Sequence, residues 1–333
     1  MNIDARRIGA ASGAAPFTDP DRTATGEPRA IVPFDRLETL WINTGTLCNI
    51  TCQNCYIESS PSNDRLVYVT LAEIAPLIEE AAALGAREIG FTGGEPFLNP
   101  DMVALAEAAL SRGLEALILT NAMQPMLRPK VKKGLLALKE RHGTRLTLRV
   151  SLDHHTKALH EAERGPRSWP KVLEGLDWLS ANGFRITIAG RTCWGEQEEQ
   201  GRAGFAGLFA RHDWPVDAAD PAGLVLFPEM DGRDDVPEIT AACWDLFGKR
   251  PGEMMCATSR MVVKRKGSDR PVVVPCTLLP YAAAFEMGDS LAAAAHADGG
   301  MFTDGAVKLC HPHCAKFCVL GGGSCSAAAD APA

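Results

Sequence analysis

The sequence predicts an α/β protein built as a partial (β/α)6 TIM-like barrel with a small C-terminal β-hairpin and cysteine-rich module. Three observations lead there. Short β-type runs alternate with amphipathic helical patterns, the arrangement that specifies a parallel sheet. Six such units fall within about 220 residues, short of the eight of a full barrel. Polar and glycine-rich residues stand just past one strand after another, as they do where strand ends converge on a barrel mouth. A doubly wound open sheet is the alternative, and it would gather fewer of those ends.

The elements follow in order. Residues 1–33 are rich in Ala, Pro, Thr, Gly and Asp without apolar periodicity and read as a disordered arm. The barrel then spans 34–250, with strands expected at Leu37–Asn43, Glu88–Thr92, Glu115–Thr120, Arg145–Ser151, Arg185–Ala189 and Gly223–Phe227. Thr70-Leu71-Ala72-Glu73 is a capping box opening a helix that ends near Gly85. Asn99-Pro100 sets an N-cap and a first-turn proline, with Gly113 at the stop. Ser168 opens a further helix closed by Gly183. Past successive strands lie Thr44 to Cys55, Gly93-Gly94-Glu95-Pro96, Asn121, Ser151-Leu152-Asp153, Arg191-Thr192-Cys193 and Glu229-Met230-Asp231. From about residue 250 the pattern changes: Met261–Lys266, a Gly267-Ser268-Asp269 turn and Pro271–Val274 read as a β-hairpin. Residues 251–326 are therefore expected to be a separate metal-bearing module, and 327–333 a tail.

Composition narrows the function classes. In 333 residues, 34 Lys and Arg stand against 41 Asp and Glu, a net charge of −7, which argues against nonspecific nucleic-acid binding. The short basic runs, Lys130 to Lys133 and Lys264-Arg265-Lys266, read as solvated faces. No apolar run approaches a membrane span, and the N-terminus lacks the apolar core of a secretory signal. Eleven cysteines without such a signal belong to a reducing compartment, where they read as metal ligands rather than disulfides. A cytoplasmic protein is expected.

Cys48, Cys52 and Cys55 are the strongest chemical signal. A structural zinc or a fully protein-ligated iron–sulfur cubane takes four protein ligands. Three thiolates this close, with no fourth Cys or His nearby, point to a [4Fe–4S] cluster with one open iron. Half of a zinc site completed by a distant ligand is the alternative. Gly93-Gly94-Glu95-Pro96 follows a strand directly. Its glycines let backbone approach a ligand, and Glu95 offers a carboxylate to a cation or amine. An ordinary βα turn has the same composition.

Together these motifs resemble the radical S-adenosylmethionine (SAM) superfamily, where a CxxxCxxC loop after the first strand carries the cluster and a GGEP-like stretch holds the methionine amino group. The resemblance runs over roughly residues 36–230. Thr120-Asn121 is similar to the family's turn after strand three, and Ser151-Leu152-Asp153 to the ribose-contacting end of strand four. His160-Glu161, Arg164-Gly165 and Ser168-Trp169 resemble the stretch that follows in the peptide- and cofactor-modifying branch, where Arg164 would pair with the SAM carboxylate. The resemblance thus implies SAM contacts from Tyr56, Gly93, Gly94, Glu95, Pro96, Asn121, Ser151, Asp153 and Arg164. Before the third cysteine the family often has an aromatic residue or His. Here Asn54 stands there, with Tyr56 just after Cys55. The implied chemistry is reductive cleavage of SAM to methionine and a 5′-deoxyadenosyl radical, which abstracts hydrogen from a substrate.

Cys256, Cys276, Cys310, Cys314, Cys318 and Cys325 form a second constellation. Cys256, the hairpin with Gly267, then Cys276 is similar to the opening of the auxiliary-cluster domains called SPASM and Twitch, and Gly321-Gly322-Gly323-Ser324-Cys325 to their glycine-rich end. SPASM domains usually carry seven cysteines spaced CxxCx5CxxxC, and this chain has six with other spacings. One complete auxiliary cluster is the economical reading; two clusters, one with an open or non-cysteine ligand (His311 or His313), and a structural zinc knot are the alternatives. Cys193 and Cys243 fit neither group. Cys243 reads as a small core residue, while Cys193, past strand five, is either packed or a hydrogen donor at the barrel mouth.

The whole reading is a radical SAM enzyme with oxidative or bond-forming outcome on a peptide or small polar metabolite, served by a reductant such as flavodoxin or ferredoxin. Its rivals are a radical SAM methyl or methylthio transferase and a non-enzymatic iron–sulfur electron carrier. The arm before residue 34 is shorter than a leader-peptide-binding domain, which tilts the expectation toward a small molecule. Glu229, Asp231 and Tyr281 are further candidates for substrate contact.

Overall fold

The computed structural model describes residues 15–228 and 236–321, and its regular structure begins with the short strand β1 (Ile31–Val32). Six parallel strands follow: β2 (Thr39–Asn43), β3 (Glu88–Thr92), β4 (Glu115–Thr120), β5 (Leu146–Ser151), β6 (Arg185–Arg191) and β7 (Leu224–Phe227). Each pairs in parallel with its neighbour in sequence, from Thr39 opposite Glu88 to Arg191 opposite Phe227. Their limits lie within two residues of the predicted ones. All five residues of β2 are buried, as expected for a strand covered on both faces. Trp41 lies against Gly90 of β3, where a Cβ would overlap the indole ring.

Helices return the chain between strands: α1 (Leu71–Ala83), α2 (Met102–Leu110), α3 (Gln124–Leu127), α4 (Pro129–His142), α5 (Lys157–Arg164), α6 (Ser168–Ala181) and α7 (Glu198–His212). The Thr70–Glu73 capping box forms as predicted, Glu73 Oε2 accepting from Thr70 N at 2.9 Å. The helix expected to open at Ser168 does so, as α6, with Arg167 before it at φ of 65°. One other predicted start is shifted: Asn99 Oδ1 accepts from Asp101 N at 2.9 Å, as a capping residue does, but α2 itself begins after Asp101. The Asn99 amide also donates to Thr44 O (3.1 Å) and Val69 O (2.9 Å), tying loops together.

The C-terminal region is not a separate body. Strands β8 (Ser259–Val263) and β9 (Val272–Val274) do form the predicted hairpin, Met261 opposite Val274. However, β8 also lies parallel to β2, Thr39 opposite Ser259 and Ile42 opposite Val262. One sheet of order β7-β6-β5-β4-β3-β2-β8-β9 results, open at β7 and β9. The expected division at residue 250 is corrected by this shared sheet. A second sheet holds β1, β11 (Ala306–Lys308) and β10 (Phe302–Thr303) in that order.

The arm is corrected over residues 15–33. Ala30 and Val32 are fully buried, and β1 pairs antiparallel with β11, Ile31 opposite Lys308. Arg29 is buried against Glu238 at 2.6 Å and donates to Leu309 O at 3.2 Å. Order here comes from partners more than 200 residues away, which local composition does not record. Among the described residues no helix is long and apolar enough to cross a membrane.

Candidate metal and cofactor site

The loop after β2 is built by short-range bonds that turn its sulfurs inward. Cys48 N donates to Ser60 O at 3.0 Å, Glu58 N to Cys55 O at 2.8 Å, and Ser59 N to the Cys55 sulfur at 3.3 Å. Cys48, Cys52 and Cys55 line one cavity at the C-terminal ends of the strands, together with Tyr56, Gly93, Gly94, Asn121, Ser151, Asp153 and Arg164. Its open space is about 960 Å³ counting the solvent at its mouth, which is within the range of ligand pockets.

Gly93 and Gly94 fit tightly against the cysteine loop. Gly94 N donates to Gly45 O at 2.9 Å and Glu95 N to Leu47 O at 3.1 Å. A Cβ on Gly93 would overlap the Gly45 carbonyl, and one on Gly94 the Leu47 carbonyl. Gly93 also has φ of 139°, in the region that favours glycine. These glycines are thus required first by protein backbone. Gly94→Ala is expected to lower stability by about 1–3 kcal/mol, an overpacking cost, and to reduce iron bound at Cys48, Cys52 and Cys55. Unfolding midpoints and iron per chain of the reconstituted variant check this, and wild-type values in both would refute it.

Glu95 and Pro96, expected among the SAM contacts, lie behind the wall rather than on it. The Glu95 carboxylate accepts from Thr120 Oγ1 (2.8 Å), Phe97 N (3.2 Å) and Asn121 N (2.9 Å), and so binds the β3 and β4 turns together. Burial pushes its pKa up to about 7 against the pull of those donors. Pro96 is buried at the start of a short 3₁₀ turn. Asn121 donates to Asn49 Oδ1 at 2.8 Å, so the β4 end also holds the cysteine loop.

On the opposite wall sits a buried ionic network. Arg164 donates to both Asp153 oxygens, from Nε and, at 3.2 Å, from Nη2. Arg191 approaches Asp153 at 3.5 Å and Glu163 at 3.4 Å and donates to Asn54 O at 3.0 Å. Glu163 in turn accepts from Asn54 N at 3.0 Å and Asn54 Nδ2 at 3.3 Å. Asn54 therefore anchors the third cysteine to α5. Burial alone would raise the Asp153 carboxyl, but the charge and hydrogen bonds of Arg164, with Arg191 behind them, bring it below its usual value. Glu163 and the role of Asn54 were missed in the sequence. The one available signal was Glu163 standing beside Arg164.

The donor chemistry fits an iron–sulfur cluster. Burial pushes the Cys48 thiol up to about 12 and raises Cys52, against the charge of Arg164, so thiolates here need a cation. Thiolates round a single zinc stand about 3.8 Å apart, given Zn–S bonds of about 2.3 Å. Among the described residues, no cysteine belongs to a trio whose ligand atoms lie within 4.8 Å of one another.

Of the six distal cysteines, Cys256, Cys276, Cys314 and Cys318 line one small pocket with Met254, Leu278 and Leu279. Burial, then the neighbouring sulfurs, drive Cys314 well above the usual thiol value. Cys310 stands off that pocket, its sulfur 3.4 Å from Asp19 O. His313 Nδ1 is 2.9 Å from Leu278 O, and His311 Nδ1 accepts from His313 N at 3.1 Å, so backbone engages a nitrogen of each ring. Cys193 is half-buried and off the cavity wall, although Arg191 two residues earlier is on it. Tyr281 does not reach the cavity. Its hydroxyl donates to Ile57 O at 2.7 Å, and its ring lies under Arg65. Glu229, Asp231 and Cys325 lie outside the described residues.

Residues 42–200 match the sequence model of the family described as the radical SAM superfamily. A GTP 3′,8-cyclase of Pseudomonas fluorescens is 29% identical over 160 residues, 46% of this chain and 44% of the relative. The antilisterial bacteriocin subtilosin biosynthesis protein AlbA of Bacillus subtilis is 24% identical over 143 residues, 43% of this chain and 30% of AlbA. The chain thus aligns with less than half the length of either. Among solved structures, SuiB of Streptococcus suis bound to S-adenosylmethionine superposes with a TM-score of 0.56 at 14% identity, covering 76% of this chain and 63% of SuiB. SuiB with its precursor peptide SuiA matches alike, at 0.56 and 13%, with 76% and 62% covered.

Proposed function

From the match of residues 42–200 to the radical SAM superfamily, we propose that this chain is an enzyme using SAM and a cluster held by Cys48, Cys52 and Cys55 to start radical chemistry on a bound substrate. The observation that carries the reading is the sharing of one cavity by those three sulfurs, the Gly93-Gly94 turn, Asp153 and Arg164. When bound, the reduced cluster and SAM together supply a 5′-deoxyadenosyl radical able to abstract hydrogen.

The chain's own residues bind and orient. Gly93 and Gly94 present bare backbone to the cavity. Arg164 gives two of its N–H directions to Asp153, which leaves the rest of its five donors for an anionic group such as a carboxylate. Asp153, held ionised, offers acceptors to hydroxyl groups. Tyr56 supplies an aromatic wall, with Ser151 and Asn121 as further polar contacts. Cys193 as a hydrogen donor loses support, since it lies off the wall.

We further propose that Cys256, Cys276, Cys314 and Cys318 hold one auxiliary cluster. Four thiolates around one apolar pocket make a complete ligand set without His311 or His313. An electron-accepting group in the same chain as a radical site favours oxidation or bond formation on a peptide or small polar metabolite, with electrons delivered by a flavodoxin- or ferredoxin-type donor. Mixing the reduced, cluster-loaded protein with SAM is expected to yield 5′-deoxyadenosine and methionine. S-adenosylhomocysteine in their place would redirect the reading to methyl transfer, and neither product from an intact cluster would reject it.

A further inference from the structure

We propose that His154, His155 and Glu196 form a site for a divalent cation of borderline softness, zinc first among them. One ligand atom from each lies within 4.8 Å of the other two. Two imidazoles and one carboxylate are a donor set that zinc takes with a fourth position left for water. The residues come from two segments: the histidines lie three and four positions beyond the end of β5, and Glu196 lies five beyond β6. Asp153 and Arg191, from the same two segments, line the cavity, so the cation would fasten together two parts of its rim.

The two imidazoles are held by their surroundings, and the exposed Glu196 reaches them through His154. The His155 Nδ1 atom is buried and has no hydrogen-bond partner among the described residues. Its ring rests on Gly204 of α7, where a Cβ would overlap it, with Phe205 edge-on at 5.7 Å. The His154 ring is buried, with Nε2 3.0 Å from Glu196 Oε2 and Nδ1 2.8 Å from Thr156 Oγ1. In the metal-free protein Nδ1 accepts from Thr156 N–H at 3.0 Å, and Nε2–H donates to Glu196. A metal on Nε2 requires the ring proton on Nδ1, where the Thr156 hydroxyl accepts it and the Thr156 N–H contact gives way. This is the outer-shell partner that fixes a ligating imidazole.

The three ligands include no cysteine, so the test of this site is independent of the radical reading. Cluster-loaded protein given one equivalent of Zn²⁺ and then desalted is expected to retain zinc with nitrogen and oxygen neighbours at about 2.0–2.1 Å and no sulfur, read by X-ray absorption at the zinc edge. His155→Gln and Glu196→Gln, both at sites not fully buried, should each lose the zinc while iron per chain stays unchanged. Gly204→Ala keeps all three ligands but displaces the His155 ring, and should weaken zinc binding at least about tenfold, as outer-shell changes do. Sulfur neighbours, no retained zinc in the wild type, or equal zinc in His155→Gln would each overturn the proposal.

Discussion

Replacing Cys48, Cys52 and Cys55 together by Ala is expected to abolish 5′-deoxyadenosine formation while leaving iron bound at the C-terminal set. The expectation rests on placement. The first three sulfurs lie in the loop beyond the C-terminal end of β2, whereas Cys256, Cys276, Cys314 and Cys318 close their own pocket. Neither set borrows a ligand from the other. Iron and sulfide per chain, with electron paramagnetic resonance of the reduced protein, separate the two contributions. A folded triple variant without iron would show that the distal cysteines do not form an independent site. Residual deoxyadenosine would remove the three cysteines from the chemistry.

Asp153→Ala is expected to cost about 3–5 kcal/mol of stability, because it leaves the buried Arg164 charge without its partner. The side chains of Asp153 and Arg164 are 3% and 15% exposed, so solvent does little to replace the lost carboxylate. The pH dependence has a definite sign. The folded Asp153 pKa is lowered, so its contribution is complete above the unfolded value of about 3.9 and disappears only as pH falls through the folded one. The penalty should therefore be equal at pH 6 and pH 8. Denaturant midpoints at the two pH values measure it. A loss under about 1 kcal/mol, or a penalty that changes between them, would mean that the pair is relieved by water or rearrangement.

The strands were legible because parallel strands covered on both faces carry apolar runs such as Leu40–Ile42 and Ala116–Leu119. The cysteine spacing and the glycine turn were legible for a different reason: both sit in local sequence. What local sequence hid was long-range pairing. Residues 15–33 carry no periodicity, yet Arg29 finds Glu238 and β1 finds β11. Asn99 had the composition of a helix cap, and sequence alone did not show its second use as a loop tie to Thr44 O and Val69 O. Glu95 shows the same limit within the site. Its position in the turn predicted an outward carboxylate, whereas Thr120 and Asn121, 25 and 26 residues on, draw it inward.

The parallel seating of β8 on β2 has a dimensional consequence. The three-cysteine loop leaves the C-terminal end of β2, while Cys256 lies three residues before the N-terminal end of β8 and Cys276 two residues past the end of antiparallel β9. Two redox centres held by these sets would face each other across the sheet as across a spacer. The five residues of β2 at about 3.3 Å each put that spacer at roughly 13 Å or more. The chain's own hydrogen-bonded ladder would then hold that gap constant, so a substrate in the cavity at the C-terminal strand ends would lie beside the first centre, with the whole length of the strand between it and the second.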